Sequence, residues 1–241
     1  MKINWSLGWT LSGFALVVLA SGCATTSETN GTAAANSSST KYKLADGRTV
    51  EIGKASPAPN GGLNFKNPHL EKCWIADGFD FNGYDTLYIA PTQNTAKYNT
   101  KDEEQPLQLA KENYVIELKR SLAAKGIFPN IVTSESEIKP GAKVLKLENT
   151  ITEYAKGGGA ARYFAGLYGA GQPILRVQGK ASDAGKPLFI YEARRSGVSA
   201  GARMTGAFMK DVDIQLEDIR SMVLDLTDFM AITAKKAPLK S

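Results

Sequence analysis

The sequence predicts an α+β fold: a mixed, mainly antiparallel sheet with two main helices packed on one face, preceded by a signal peptide and a disordered tether. Three observations carry this. Short alternating apolar runs, bounded by Gly, Pro and Asx turns, recur between Tyr42 and Gly197. Two long stretches, 107–128 and 202–234, instead repeat their apolar residues at helical spacing. The resulting order (strand, helix, several strands, helix) segregates helices on one face of a sheet.

The chain opens MKINWSLGWTLSGFALVVLASG. One lysine stands near the start, an apolar run spans Phe14 to Ala20, and small residues follow, which is the layout of a secretory signal peptide over residues 1–22. A membrane-spanning helix needs about 18 or more consecutive apolar residues, and Ser6, Gly8, Thr10, Ser12 and Gly13 interrupt this run. The end of the segment, Leu19-Ala20-Ser21-Gly22-Cys23, resembles a bacterial lipobox. The resemblance implies diacylglycerol on the Cys23 thiol, cleavage before Cys23 and acylation (palmitate) of the new amino terminus. Cys23 is then the lipidation site, and the membrane is a partner through that anchor. The alternative is an ordinary signal peptide followed by an incidental cysteine. Several acyl chains, each contributing about 0.8 kcal/mol per buried methylene, hold a protein stably on a bilayer. Ala24, rather than an aspartate, follows the cysteine; by the sorting habit of enteric-type bacteria this points to the outer membrane.

Residues 23–40 are the lipidated cysteine and a tether. ATTSETNGTAAANSSST contains no aromatic and nothing large enough to pack, so ordering it has no burial to offset the entropy. Residues 41–72 read as a hairpin and loop, and 73–235 as the α+β domain. YKLADGRTVEI is two short alternating runs around Asp46-Gly47, a hairpin signal. GKASPAPNGGLNF reads as loop from its prolines and glycines. YDTLYIAP places Leu87 and Ile89 on one face of a strand that Pro91 ends. Leu107, Ala110, Tyr114, Leu118 and Leu122 form the stripe of the first helix, which Gly126 stops. NIVTSE reads as a short strand and AKVLKLENTITEYAKG as a long one, while PILRVQGKASDAGKPLFIYEARRSG reads as two strands joined at Asp183-Ala184-Gly185. In the last helix Met209, Val212, Leu216, Ile219, Val223, Leu226 and Met230 make a narrow seam. A coiled coil uses such a seam; packing along the sheet needs the same stripe, and Leu224 and Phe229 broaden it. Asp211, Glu217, Asp218, Asp225 and Asp228 on the other side read as a solvated acidic surface.

Composition narrows the chemistry. The formal charge of +5 is mild and its lysines are scattered, which suits weak attraction to anionic headgroups or polymers and argues against a nucleic-acid partner. With Cys23 lipidated, Cys73 has no partner for a disulfide; it is either a small buried apolar residue, the favoured reading, or a reactive thiol. GKASDAGKP, residues 179–187, fails as a phosphate loop because five residues separate its glycines and proline stands where the hydroxyl belongs. Gly166, Gly169 and Gly171 fail as a dinucleotide turn because Pro173 and a strand follow them. The single histidine, His69, lies in a loop between prolyl and apolar residues; there is no G-x-S-x-G turn and no Cys/His set with zinc spacing. Asp77, Asp80 and Asp85 match no calcium loop and read as turn residues. No catalytic, cofactor-binding or metal-binding residue is expected, and no cofactor.

That leaves GGGAARYFAGLYGAGQP, Gly157 to Pro173. With the strands after it, the lipobox and YDTLYIAP, this stretch resembles the bacterial lipoprotein family called domain of unknown function 4410. Gly158, Ala161, Arg162, Gly166, Gly169, Ala170 and Gly171 carry the likeness, followed by an alternating strand, an acidic-Gly turn and a second strand. Tyr168 stands where phenylalanine is commoner, and the hairpin before residue 60 lies outside the likeness. The resemblance implies a periplasm-facing α+β domain, similar in architecture to lipoproteins that assist cell-wall synthases or build secretion pores, and it implies no activity.

Physically, the glycines permit a tight crossing between two strands at positive φ, with Arg162 paired to a carboxylate or to turn carbonyls and Tyr163, Phe164 and Tyr168 capping the core. The rival reading makes the stretch an exposed apolar tip for a partner or bilayer, rimmed by Arg194, Arg195 and Arg203. The candidate loop residues are therefore Gly158, Arg162, Tyr163, Phe164, Gly166, Tyr168, Gly169 and Gly171. The whole reads as a non-enzymatic, lipid-anchored cell-envelope protein that binds an envelope protein partner. The runner-up is a homo-oligomeric scaffold or secretion-type pore component, and an envelope enzyme comes third.

Overall fold

In the computed structural model, which describes residues 39–44, 46–97, 101–158, 171–196 and 210–235, the elements follow the expected order. A turn with Gly47 at φ +84° joins β1 (Ser39–Lys43) to β2 (Thr49–Gly53) as an antiparallel hairpin. Asp46 accepts both the Arg48 backbone N–H (3.0 Å) and its guanidinium (2.9 Å), which fixes the turn. The hairpin is its own two-stranded sheet, yet Leu44, Val50 and Ile52 join the main core.

GKASPAPNGGLNF, expected as loop, instead contributes two short strands, β3 (Ser56–Pro57) and β4 (Leu63–Asn64), which extend the sheet beside β5 (Lys72–Ile75). Its glycines are what permit the pairing. Gly62 sits at φ +80°, and a Cβ there would lie 2.3 Å from the Ile75 carbonyl oxygen. Trp74 of β5 donates its indole N–H to the Gly61 carbonyl at 2.8 Å, pinning the same turn.

The remaining elements are β6 (Thr86–Ile89), β7 (Gln93–Asn94), α1 (Glu104–Lys125), β8 (Asn130–Val132), β9 (Val144–Ala155), β10 (Ile174–Asp183), β11 (Lys186–Arg195) and α2 (Asp211–Thr233). The main sheet runs β3-β4-β5-β11-β10-β9-β6-β8, with β7 paired to β9. β6 is parallel to β8 and β9, while β5, β11, β10 and β9 are antiparallel in sequence of pairing. α1 is the crossover that parallel pairing of β6 and β8 requires.

The predicted stripe of α1 (Leu107, Ala110, Tyr114, Leu118, Leu122) is buried, and Gly126 closes the helix at φ +61°. The helix starts three residues earlier than predicted, with Pro106 in its first turn, where the missing N–H costs nothing. Ala184 and Gly185, at φ +47° and +82°, make the predicted turn from β10 to β11. Thr152 of β9 is left unpaired opposite Arg176 and Val177 of β10, a bulge in β9, so Ile151 and Tyr154 are both buried although three residues apart.

Residues 202–209 of the last predicted helix, Met209 included, lie outside the described residues. In α2 Val212 is exposed, and the stripe is broad, as packing along the sheet requires, with every residue from Leu226 to Ile232 buried. The predicted acidic surface is corrected, since Asp218 and Asp228 are buried and Asp225 is largely so. Asp225 is covered by Arg195 of β11 and by His69, and Asp228 by the hairpin. Asp228 is enclosed by Arg48 of the hairpin (2.7 Å) and Lys125 at the end of α1.

One row crosses the middle of the sheet: Asn149, Gly179, Tyr191 and Cys73 on β9, β10, β11 and β5. The Tyr191 ring lies across Gly179, its hydroxyl donating to Asn149 Oδ1 at 2.6 Å and sharing a 2.7 Å hydrogen bond with the Tyr114 hydroxyl of α1. Burial pushes both phenols up. The opposite sheet face carries ion pairs, among them Lys146–Glu148 (3.1 Å), Arg176–Glu192 (2.9 Å) and Arg194–Glu153 (3.0 Å).

Candidate functional site

The glycine-rich stretch connects β9 to β10. The last ladder pair of these strands is Ala155 with Ile174, and residues 156–173 lie between. Gly157 and Gly171 both take positive φ, +84° and +71°, and Gly158 donates its N–H to the Gly171 carbonyl at 2.9 Å. The two arms of the connection are thus held together beyond the sheet by a backbone bond that left-handed glycines allow. Gly158 itself lacks positive φ, and a Cβ there would meet nothing within 4 Å among the described residues. Of the expected site residues, the structure brings Gly158 and Gly171 together at this base; Arg162, Tyr163, Phe164, Gly166, Tyr168 and Gly169 lie outside the described residues, as do Cys23 and the tether.

The base is tied to both helices. Glu103, buried just before α1, accepts the Lys156 backbone N–H at 3.3 Å, and the Lys156 ammonium pairs with Asp102. Tyr154 donates to Gln215 Oε1 in the first turns of α2 at 3.3 Å, and burial raises this phenol to about 12 against the hydrogen bond. Gln172 and Gln215 are buried as well. Sequence reasoning missed Glu103, Gln172 and Gln215. Their one signal was a polar residue beside a core position, as Gln215 beside Ile214, and that pattern is common on helix flanks.

The expected basic rim is corrected. Arg194 and Arg195 do stand at this end of the sheet, since Arg195 pairs with Leu175 near the start of β10. Strand alternation sends them to opposite faces, however, and each is met by a carboxylate. Arg194 pairs with Glu153 and holds it below its usual range. Arg195 is buried, pairs with Asp225 and donates to the His69 carbonyl at 2.9 Å. Arg203 lies outside the described residues. Burial raises the Asp225 carboxyl, with Arg195 and His69 opposing the shift. His69 Nδ1 stands 4.0 Å from Asp225 at the edge of a recess of about 520 Å3. Its cations and carboxylates neutralise one another, so the recess offers no unopposed charge to an anion.

Cys73 is buried beside Tyr191, and burial alone pushes its thiol up, which makes it a poor nucleophile. Asp80 caps a single 3-10 turn by accepting the Asn82 N–H (2.9 Å), and Asp85 accepts the Lys143 N–H (3.1 Å). Both are turn residues, as expected. Among the described residues, no three His, Cys, Asp or Glu side chains gather to hold a metal ion.

No family model matches the chain, and no curated protein matches it. Among solved structures, the chain is similar to the PelC dodecamer from Paraburkholderia phytofirmans, with 15% identity and a TM-score of 0.41 over 64% of this chain and 96% of that one. A single-substitution variant of that dodecamer, in a second crystal form, gives 14% identity and 0.40 over 64% and 97%. Protein XCC0632 from Xanthomonas campestris, of DUF330, gives 12% identity and 0.37 over 63% and 86%.

Proposed function

We propose that this chain is a lipid-anchored protein of the bacterial cell envelope, non-enzymatic, whose α+β domain holds an envelope protein partner through the β9–β10 connection. The observation that supports it best is the build of that connection. A hairpin closes with about two to five residues, whereas residues 156–173 separate these strands. Connections of this length are generally either functional or linkers. This one is pinned at its base by the Gly158–Gly171 hydrogen bond and by Glu103, which fixes where the chain leaves the sheet and where it returns. Its sequence interleaves small residues with Tyr163, Phe164 and Tyr168, the composition of an adaptable apolar contact. Cys23, in its lipobox-like setting, supplies the outer-membrane anchor, residues 24–40 the reach, and the domain faces the periplasm.

The base geometry also supplies the test. Gly158 and Gly171 are already in hydrogen-bonded register, so replacing residues 159–170 by Asn-Gly closes a two-residue hairpin. This variant is expected to fold with nearly unchanged stability, to stay in the membrane fraction and to lose its partner. A shortened chain that still co-purifies with the same partner as the full chain would overturn the assignment. Cys23→Ser is expected to lose the acyl mass and leave the membrane fraction.

A further inference from the structure

The β1–β2 hairpin is a sheet of its own. A lone two-stranded pair is marginal in water, so contacts with the rest of the domain decide which strand is held. Those contacts are uneven. Next in register after Lys43–Thr49, the Leu44 N–H donates to the Arg48 carbonyl at 2.8 Å. This sets the phase of the ladder: Tyr42–Val50 and Thr40–Ile52 are the hydrogen-bonded pairs. Gly53, one residue on, turns its N–H away from β1 and donates to the Lys66 carbonyl at 2.7 Å. β2 is thus tied to the domain by this bond and by Val50 and Ile52, both buried. β1 is tied to β2. Along the inward face of the first strand, burial falls towards Ser39: Leu44 is buried, Tyr42 is half-buried against the core and Thr40 is exposed. Ser39, Lys41 and Lys43 face outward and are exposed. The lock lies at the turn, where Arg48 reaches the fully buried Asp228 at 2.7 Å and Lys125 meets the same carboxylate.

We infer that β1 is a releasable strap. It peels from β2 starting at Ser39 and stops at Leu44, while β2, the turn and the domain keep their places. The ladder bonds it gives up are exchanged for bonds to water at little net loss, and Tyr42 is the one apolar side chain that leaves. Release adds the five residues of β1, each about 3.4 Å long when extended, to the chain that leads back to Cys23. It also moves the point where that chain departs from beside Gly53 to the turn, where Lys125 ends α1. Combined with the anchoring proposed above, on which this use rests, peeling lengthens the reach of the domain from the membrane and leaves its core intact.

The test is amide hydrogen exchange resolved to single residues, on the full chain in detergent micelles. The N–H groups of Thr40, Tyr42, Val50 and Ile52 are expected to exchange at least about a hundredfold faster than those of Leu147 and Gly179 in the middle of the main sheet. Leu44 and Gly53 are expected to stay in the slow class. Lys41→Cys combined with Glu51→Cys places two thiols across a pair that shares no ladder hydrogen bond. Oxidising them to a disulfide is expected to slow the four fast amides at least about tenfold, and reduction to restore their rates. Exchange of the four at the rate of Leu147 would overturn the proposal, because β1 would then leave only when the whole domain unfolds. So would Leu44 and Gly53 exchanging together with them, since the entire hairpin would then detach, or rates unaltered by the disulfide. Exchange is read whether or not Cys23 carries acyl groups, so a chain without acyl mass would remove the anchor and leave the release of β1 standing.

Discussion

Gly179→Ala is the sharpest probe of how the core is specified. A Cβ at residue 179 would lie 1.9 Å from Tyr191 Cε1 and 2.3 Å from Cζ, far inside van der Waals contact. The ring cannot yield cheaply. It is fully buried and its hydroxyl is held by Asn149 at 2.6 Å and by Tyr114 at 2.7 Å. Overpacking a core costs about 1–3 kcal/mol, and displacing the ring leaves buried polar groups unmet at about 1–3 kcal/mol more. The expected loss is therefore about 2–6 kcal/mol, read as a lowered urea midpoint with unchanged slope. Gly158→Ala, whose Cβ would meet nothing within 4 Å among the described residues, is expected to stay within about 0.5 kcal/mol of the parent. Combining Gly179→Ala with Tyr191→Ala removes the clash, so the double variant should be more stable than the sum of the singles by about 1–3 kcal/mol. A Gly179→Ala penalty below about 0.5 kcal/mol, or one of equal size in both backgrounds, would refute the reasoning.

Three further outcomes follow from other parts of the fold. Asp228→Ala leaves Arg48 and Lys125 facing each other without their buried carboxylate, and chemical denaturation should show a loss of about 3 kcal/mol; a neutral result would mean the hairpin is not held to α2 by this ion pair. Tyr84 and Tyr154 are both raised to about 12, Tyr84 by burial and then Asp183, Tyr154 by burial. The folded state thus keeps protons that the unfolded chain releases near pH 10, so their stabilisation is intact below pH 10 and is lost as pH rises through about 12. Alkaline unfolding followed together with tyrosinate absorbance should show these phenols ionising only as the fold is lost, and ionisation near the ordinary pH in intact protein would contradict their burial. Cys73 should resist thiol reagents in the folded chain and react at full rate in denaturant, because its thiol is buried on β5; fast labelling under native conditions would contradict its placement.

Much of the architecture was legible because its signals are local. The stripe Leu107–Leu122 with Gly126 names its helix, and Asp46-Gly47 and Asp183-Ala184-Gly185 name their hairpins, since each rests on a few neighbouring residues. What was illegible depends on partners far along the chain. β3 and β4 are carried by two-residue pairings inside a segment whose glycines and prolines say loop, and only the approach of β5 makes them strands. Asp225 and Asp228 of α2 fall on the side a helical wheel assigns to water, and they are enclosed because Arg195 of β11 and Arg48 of the hairpin meet them from distant parts of the chain. Arg194 and Arg195 read alike as a basic pair, but strand alternation separates them and Glu153 and Asp225 neutralise them. Gly179 carried no sign of its role, because the ring that requires it arrives from the next strand. At the candidate site the glycines were legible as backbone devices, and Gly157 and Gly171 act as such; the anchoring by Glu103 and Gln215 comes from two separate helices and was not.

The measurement that bears most directly on the central claim is photocrosslinking in intact cells, with a photoreactive residue at Phe164 or Tyr168 and another at Leu118, which is fully buried in α1, as the control. One discrete heterologous adduct is expected from Phe164 or Tyr168 and none from Leu118. A ladder of self-adducts from the tip would contradict it in favour of an oligomeric scaffold, and silence from both tip positions in well-expressed, membrane-fractionated protein would contradict the connection's role as a contact site.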